Sequence, residues 1–197
     1  MDIISVLGLI ALLSFYGSYF TKSLFLHRKG IFADRMGRGV KPARTVKIEH
    51  MLKLATFSMA VIQSLILFET DDRYLLIQNE AIRYVGLVIS FIGTSIFITA
   101  MITMKSSWRA GVDASQQTKL IRHGIYRISR NPAFLGFDVF YIGFTLTFCH
   151  PVQVLFMIFC ITILHLQIIE EEKFLPTIFA QEYLDYKKSV ARYLLFK

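Results

Sequence analysis

Cysteine is scarce in this chain, where it occurs twice among 197 residues. Cys149 and Cys160 stand in or beside apolar segments, without the CxxC spacing or the Cys/His clustering of a zinc site. The sequence therefore predicts neither a disulfide framework nor a bound metal. Isolated free cysteines are usually small, buried hydrophobic residues, and we expect that role for both of them.

Charged residues are also few. They make up 18% of the chain, whereas hydrophobic residues make up 54%. That balance is typical of a protein with several membrane spans and excludes an ordinary soluble domain. The net charge of +8 could by itself indicate nucleic-acid binding, but the basic residues lie in loops that alternate with apolar runs. We therefore expect a lipid membrane, and no nucleic acid, as the partner of this chain.

Apolar runs recur five times along the chain, each near the length of about 20 residues that crosses a membrane core as a helix. The predicted spans are residues 3–26, 51–68, 82–104, 132–149 and 151–169. No basic segment precedes the first run, which favours a membrane helix over a cleaved signal peptide. The sequence thus predicts an all-α polytopic membrane protein that forms a single domain over residues 1–197. Gly86 and Gly93 would provide packing notches in the third span.

The charge of the connecting segments alternates in sign. The loops at 27–50 and 105–131 and the tail at 173–197 are basic, the loop at 69–80 is acidic, and the tip of the last hairpin has no Lys or Arg. The positive-inside rule then places the N-terminus outside and the C-terminus in the cytosol. The tail mixes aromatic and basic residues, which predicts a helical segment lying along the membrane interface. Pro176 predicts a break near the start of that segment.

Two polar clusters flank the last apolar hairpin. Arg130-Asn131-Pro132 opens the fourth span, and Glu170-Glu171-Glu172 ends the fifth. Two antiparallel helices of similar length would return both clusters to one face of the membrane, so we expect them to meet there. Proline suits the first position of a helix, and Asn131 could cap the helix that follows.

The three consecutive acids are unusual because the C-terminal end of a helix disfavours negative charge. One interpretation is that they form salt bridges with the nearby Arg127, Arg130 or Lys119. The other is that they hold a cationic ligand. Neighbouring residues of a helix point about 100° apart, so at most two of the three acids could face one pocket.

A few polar residues interrupt the spans: Gln63, Asp138, His165 and Gln167. An ionisable group at this depth usually faces a cavity or a partner. Asp138 could line a substrate or cofactor cavity, or it could be hydrogen-bonded within the bundle. His165 is more typical of a packed histidine with a satisfied ring.

Residues 124–136, which read GIYRISRNPAFLG, resemble the G-x-Y-R-x-x-R-H/N-P-x-Y-x-G signature of integral-membrane methyltransferases. These enzymes are the isoprenylcysteine carboxyl methyltransferases and the related phospholipid N-methyltransferases. Residues 170–175 (EEEKFL) and 179–188 (FAQEYLDYKK) are similar to the second element of that family, E-E-x-x-L followed by F-G-x-x-Y-x-x-Y. The resemblance covers residues 118–197.

The resemblance implies a methyltransferase that uses S-adenosylmethionine (AdoMet), with the active site at the cytosolic end of the hairpin. The implied cofactor-binding residues are Leu120, Ile121, Tyr126, Arg130, Asn131, Pro132, Phe134, Glu170 and Glu171. Acidic residues suit the sulfonium and ammonium groups of AdoMet, and a helix start or Arg130 suits its carboxylate. Methyl transfer requires positioning and desolvation rather than a nucleophilic side chain. No catalytic side chain is therefore assigned, and Arg130 and Asn131 are candidates for positioning.

The chain departs from the family pattern in ways that concern the substrate. Asn131 replaces a histidine and Phe134 replaces a tyrosine, and Gln167 lies where eukaryotic members have an arginine near the acidic pair. Gln167 and Asp138 are the predicted substrate-binding residues. The expected substrate is a lipophilic small molecule or prenylated acceptor that arrives from the bilayer.

Carboxyl O-methylation of an isoprenylcysteine-like acceptor is the leading interpretation, and N-methylation of a lipid amine is the main alternative. An NADPH-dependent reductase of the sterol type and a non-catalytic membrane scaffold are weaker alternatives, since fold alone does not fix activity.

Overall fold

The computed structural model describes residues 2–39, 41–68, 74–111 and 119–194. Within these ranges the chain forms five α-helices: α1 (Ile3–Arg28), α2 (Ala43–Leu67), α3 (Glu80–Met104), α4 (Pro132–Thr147) and α5 (Pro151–Ser189). Short 3-10 turns occupy Lys105–Ser107 and Gly124–Arg127. Residues 69–73, which carry most of the acidic charge of the predicted outer loop, lie outside the described residues.

The predicted all-helical membrane architecture is confirmed for the described part of the chain. There, α1, α2, α3 and α5 are long and apolar enough to cross a membrane, and α4 is a shorter apolar helix of 16 residues. The number of spans and their orientation stay predictions.

The helix starts follow from the local sequence. The Asp2 carboxylate accepts a hydrogen bond from the Ser5 N–H at 2.7 Å, and the Asn79 side chain accepts one from the Ile82 N–H at 3.1 Å. Each therefore satisfies a backbone donor that the first turn leaves unpaired. Pro132 and Pro151 begin α4 and α5, where the missing proline N–H is not needed.

Two helices extend beyond the predicted spans. α2 begins at Ala43 rather than at residue 51, because Thr45, Ile48 and Glu49 give its first turns a buried face. α5 continues past residue 169 to Ser189, so the tail is helical but joined to the fifth span. The bend predicted near Pro176 is displaced to Ala180, whose φ of 44° and ψ of −127° interrupt the helix.

α3 and α4 pack closely because glycines remove side chains from their contact. A Cβ atom at Gly93 would meet the Phe140 backbone nitrogen, and one at Gly86 would lie 2.6 Å from the Thr147 nitrogen. Gly136 and Gly143 make the matching approaches from α4. The predicted notches at Gly86 and Gly93 are thus confirmed.

Aromatic residues fill the centre of the bundle and fasten α1 to this helix pair. The Phe15 ring stacks on Phe140 with the centroids 3.9 Å apart, and it contacts Phe97 at 5.0 Å and Phe137 at 4.9 Å. Cys160 is fully buried, as expected, and its thiol donates to the Ala55 carbonyl. Cys149 is only partly buried, so the expectation is wrong for this residue. The candidate site lies at the start of α4 and along the later turns of α5.

Candidate active site

The two polar clusters of the hairpin meet at one end of the α4–α5 pair. Arg130, just before α4, lies with its Nη2 atom 2.9 Å from the Glu172 Oε1 atom of α5. The predicted convergence is confirmed, because the apolar arms between the clusters are antiparallel helices joined by a tight turn at His150-Pro151.

A cleft opens beside this contact, under the last turns of α5. It is lined from three directions: by the segment before α4, by the first turn of α4, and by one face of α5. The lining residues include Leu120, Ile121, Tyr126, Arg130, Asn131, Phe134, Glu171, Phe174, Phe179, Tyr183 and Tyr186. Seven of these belong to the set that the family resemblance implied for the cofactor. Pro132 and Glu170 are not among the residues that line the cleft.

Of the three consecutive acids, Glu171 alone lines the cleft. Its Oε1 atom accepts a hydrogen bond from the Gln167 Nε2 atom at 3.0 Å, one turn earlier in α5. Gln167 is itself fully buried and lines neither the cleft nor the apolar cavity next to it. Its contact is therefore with Glu171, which it holds in place.

Glu170 points away from the cleft, towards α2. Its carboxylate accepts hydrogen bonds from the Thr45 hydroxyl at 2.8 Å and from the Lys173 ammonium at 2.9 Å, and it lies 3.5 Å from Arg44. The rotation of about 100° per helical residue separates it from Glu171. The structure therefore does not bring Glu170 to the predicted cofactor residues.

Glu172 forms the centre of a buried ion network and is 4% exposed. Its two carboxylate oxygens each lie 2.9 Å from a guanidinium nitrogen, one on Arg130 and one on Arg192, and Lys187 is 3.6 Å away. The salt-bridge interpretation of the acidic run is thus correct for this residue, with Arg130 as one predicted partner. Arg192 was not predicted as a partner because it lies 20 residues further along the chain.

Arg130 uses most of its hydrogen-bonding capacity inside the protein. Nε and Nη2 donate to Glu172, and Nη1 donates to the backbone carbonyls of Lys187 and Val190. A guanidinium has five N–H donors, and four are accounted for here. Arg130 therefore ties the end of α5 to the start of α4.

Asn131 occupies the position before α4, but its side chain does not cap the helix, in contrast to the sequence expectation. Its Nδ2 atom donates to Glu172 at 3.3 Å and to the Arg192 carbonyl at 3.2 Å. Among the described residues, no side chain caps the start of α4, where Ala133 and Phe134 line the cleft. The first N–H groups of a helix have no partner within the helix, although the Leu135 N–H donates to the Asn131 carbonyl.

One wall of the cleft is aromatic and is formed by Phe174, Phe179, Tyr183 and Tyr186 of α5. This aromatic wall includes a hydroxyl group without a partner in the described part of the protein. Tyr183 is 1% exposed, and its hydroxyl has no hydrogen-bond partner within the part of the chain that the structure describes. Tyr186, by contrast, donates its hydroxyl to the Tyr126 carbonyl at 2.6 Å. Burial raises the pKa of the Tyr126 phenol above its ordinary value. A polar ligand in the cleft would satisfy the Tyr183 hydroxyl. The Y-x-x-Y spacing at residues 183–186 was the sequence signal for these two tyrosines.

A larger apolar cavity of ≈ 600 Å³ adjoins the cleft, between α1 and α2. Its walls include Leu13, Phe20, Phe57 and Ala60 from these two helices. The cleft and the cavity share one wall, formed by Trp108, Arg109, Gly111, Ala133, Phe134 and Glu171. The two spaces are therefore adjacent, and the same side chains border both. Trp108 and Arg109 were not predicted, because nothing in the local sequence marks them as part of a site.

Asp138 does not join this arrangement. It lies with His165 and Tyr193 in a separate groove, and the Nδ1 atom of His165 is 3.0 Å from the Tyr193 hydroxyl oxygen. The expectation that His165 is a packed histidine with a satisfied ring nitrogen agrees with this contact.

Comparison with known proteins gives a consistent family assignment. The model of the phospholipid methyltransferase family matches residues 82–182, which run from α3 to the last turns of α5. A rice protein (Oryza sativa subsp. indica) described as a probable protein-S-isoprenylcysteine O-methyltransferase is 30% identical over 184 residues, which cover 91% of this chain and 90% of the rice protein. Protein-S-isoprenylcysteine O-methyltransferase A of Arabidopsis thaliana is 29% identical over 154 residues, which cover 76% of this chain and 78% of that protein.

The fold has a solved counterpart in a eukaryotic intramembrane Ras methyltransferase, an isoprenylcysteine carboxyl methyltransferase. The two structures align with a TM-score of 0.53 over 97% of this chain and 99% of the other, at 17% sequence identity. The structural match shows a shared fold, whereas the sequence matches establish the family. The chain belongs to the family of membrane methyltransferases that includes the phospholipid methyltransferases and the protein-S-isoprenylcysteine O-methyltransferases.

Proposed function

We propose that this protein transfers a methyl group from AdoMet to the carboxylate of an isoprenylcysteine, at the cytosolic face of a membrane. This proposal depends on the wall that the cleft, which carries charged and aromatic side chains, shares with an apolar cavity of ≈ 600 Å³. The names of the rice and Arabidopsis relatives support the choice of acceptor.

The residues of the cleft fit the chemical groups of AdoMet. The carboxylate of the cofactor would lie at the N–H groups of Ala133 and Phe134, where the start of α4 favours an anion. Glu171 would face the ammonium or the sulfonium group. The aromatic wall would hold the adenine, with a hydrogen bond from the buried Tyr183 hydroxyl. When bound, AdoMet supplies an electrophilic methyl group on a sulfonium.

The protein itself positions the acceptor and excludes water. An acceptor oxygen at the shared wall would lie beside the cofactor, while the prenyl chain occupies the apolar cavity between α1 and α2. Holding two reactants in line lowers the barrier without a nucleophilic side chain. Arg109 belongs to the shared wall and provides positive charge near the acceptor carboxylate. The cavity lies between two apolar helices, so we propose that the acceptor reaches it from the bilayer.

N-methylation of a lipid amine is the second candidate. The phospholipid methyltransferase match and the Glu171 carboxylate on the shared wall favour it. A carboxylate can accept a hydrogen bond from the N–H of an amine and can take the proton that the amine loses when it is methylated. The two candidates differ in which acceptor the purified protein methylates.

Ligand binding tests the cofactor assignment directly. The detergent-purified protein is titrated with AdoMet, S-adenosylhomocysteine and NADPH, in the wild type and in Glu171→Gln. We expect saturable binding of the two adenosyl ligands, weakened about tenfold in the variant by loss of one charged contact. Glu170→Gln is the matched control, since Glu170 faces α2, and it should bind AdoMet like the wild type. Binding of NADPH alone by well-folded protein would overturn the proposal.

A methyl-transfer assay then tests the acceptor. Radiolabelled AdoMet is supplied with a farnesylated cysteine derivative, with its methyl ester, or with phosphatidylethanolamine. We expect labelling of the free acid and none of the ester, which has no carboxylate to methylate. Labelling of phosphatidylethanolamine in its place would select the second candidate.

A further inference from the structure

A third cavity lies apart from the active site, and the proposed reaction makes no use of it. It is a shallow groove of ≈ 480 Å³ lined by Asp138 of α4, by Ile161, Thr162, His165 and Leu166 of α5, and by Tyr193. None of these six residues lines the cofactor cleft or the apolar cavity. Three separate parts of the chain therefore converge on a groove with its own polar groups.

One of those polar groups lacks a protein partner. The Oδ1 atom of Asp138 is buried and has no hydrogen-bond partner among the residues that the structure describes. The other polar side chains are satisfied: His165 pairs with Tyr193 at 3.0 Å, and the Thr162 hydroxyl donates to the Ile158 carbonyl at 2.8 Å. The groove thus presents one unsatisfied acceptor, on a carboxyl group.

The position of the groove makes water a poor partner for that acceptor. Asp138 lies in the second turn of the apolar helix α4, and Ile161 and Leu166, both only partly buried, form the apolar walls of the groove on α5. Within a bilayer an unsatisfied polar atom is costly, so ionisable residues at this depth face a cavity or a partner. A ligand from the membrane that carries both a donor and apolar chains matches the groove.

The carboxyl group of Asp138 indicates which kind of lipid head group the groove would bind. An ammonium offers several N–H donors together with the opposite charge, and charge-assisted hydrogen bonds are about twice as strong as neutral ones. We propose that this groove is a lipid-binding site, in which Asp138 receives the primary ammonium head group of a membrane lipid and Ile161 and Leu166 contact its acyl chains. The site is independent of the proposed methyl-transfer reaction.

Photocrosslinking of lipids tests the site on the full chain. The protein in nanodiscs is labelled with a photoactivatable phosphatidylethanolamine, with the matching phosphatidylcholine or with a diacylglycerol, and the modified peptides are mapped. Phosphatidylcholine has the same charge but no N–H donor, and diacylglycerol offers a neutral hydroxyl. We expect phosphatidylethanolamine to label the α5 segment around Ile161–Leu166, with apparent affinity about tenfold lower in Asp138→Asn. Glu80→Gln, an acid at the start of α3, should leave labelling unchanged.

A second variant and a second measurement distinguish loss of the lipid site from misfolding of the protein. Ile161→Trp fills the groove without altering the carboxyl group, and it should also weaken the labelling. Both variants should still bind AdoMet, which shows that the fold is intact. Phosphatidylethanolamine should raise the melting temperature of the wild type more than that of Asp138→Asn, because a ligand stabilises the folded state in proportion to how tightly it binds it. Equal labelling by phosphatidylcholine or diacylglycerol, or full labelling of Asp138→Asn, would overturn the proposal.

Discussion

At the scale of single residues, Ala180 shows where this chain departs from the backbone preference of an L-amino acid. Its φ of 44° lies in the left-handed region, which costs a non-glycine residue roughly 1–2 kcal/mol. The related family has glycine at this point of the F-G-x-x-Y motif. We expect Ala180→Gly to raise the free energy of unfolding by about 1 kcal/mol, measured by detergent-induced unfolding. Ala11→Gly, in the regular part of α1, should lower that free energy, and a loss in both variants would contradict the assignment of strain to Ala180.

Glu172 holds together the residues around the cleft that the proposed function assigns to the cofactor. Glu172→Gln would leave the buried Arg130 guanidinium without its counter-charge, and breaking such a pair costs about 3 kcal/mol. We expect a lower melting temperature and weaker AdoMet binding, since Asn131 and the end of α5 lose a common anchor. Glu182→Gln is the control, because its pair with Arg122 is about half exposed and contributes little. A similar loss in the two variants would show that the buried network has no special role.

At the scale of helices, the α3–α4 contact depends on missing side chains. Gly93→Val would place methyl groups against the Phe140 backbone, and we expect it to separate the helices and lower stability by roughly 3 kcal/mol or more. Circular dichroism melting and AdoMet binding both report the change. Gly17, in α1, has no atom within 4 Å of an added Cβ, so Gly17→Ala should be tolerated. Wild-type behaviour of Gly93→Val would contradict the proposed packing.

The helices also show the limits of local sequence signals. Pro176 is accommodated within α5, and the helix is interrupted at Ala180, a residue that local propensity would keep helical. Packing explains the difference, since the following segment must turn so that Tyr183, Tyr186 and Val190 can pack together. The buried face of α2 at Thr45 and Glu49 similarly extends that helix into a stretch that looks like a polar loop.

At the scale of the whole molecule, the proposed function assigns the prenyl chain of the acceptor to the apolar cavity between α1 and α2. Ala60 lines this cavity, so Ala60→Trp should fill part of it and raise KM for a long prenyl acceptor more than for a short one. AdoMet affinity should be unchanged, because Ala60 does not line the cleft. Leu65, on the same helix, is 68% exposed, and Leu65→Trp provides the control. An equal effect on long and short acceptors would contradict this role of the cavity.

The sequence by itself determined the membrane-helix architecture, the family and the meeting of the two polar clusters. Apolar runs near bilayer length need only local hydrogen bonds to form helices, and two antiparallel arms of similar length bring their ends together. Only the tertiary structure decided the separate roles of Glu170, Glu171 and Glu172, which face α2, the cleft and the ion network. Adjacent side chains of a helix diverge by about 100°, so their partners depend on the surrounding helices rather than on their own sequence. The same reason placed Gln167 behind Glu171, Arg192 beside Glu172, and Asp138 in a groove of its own.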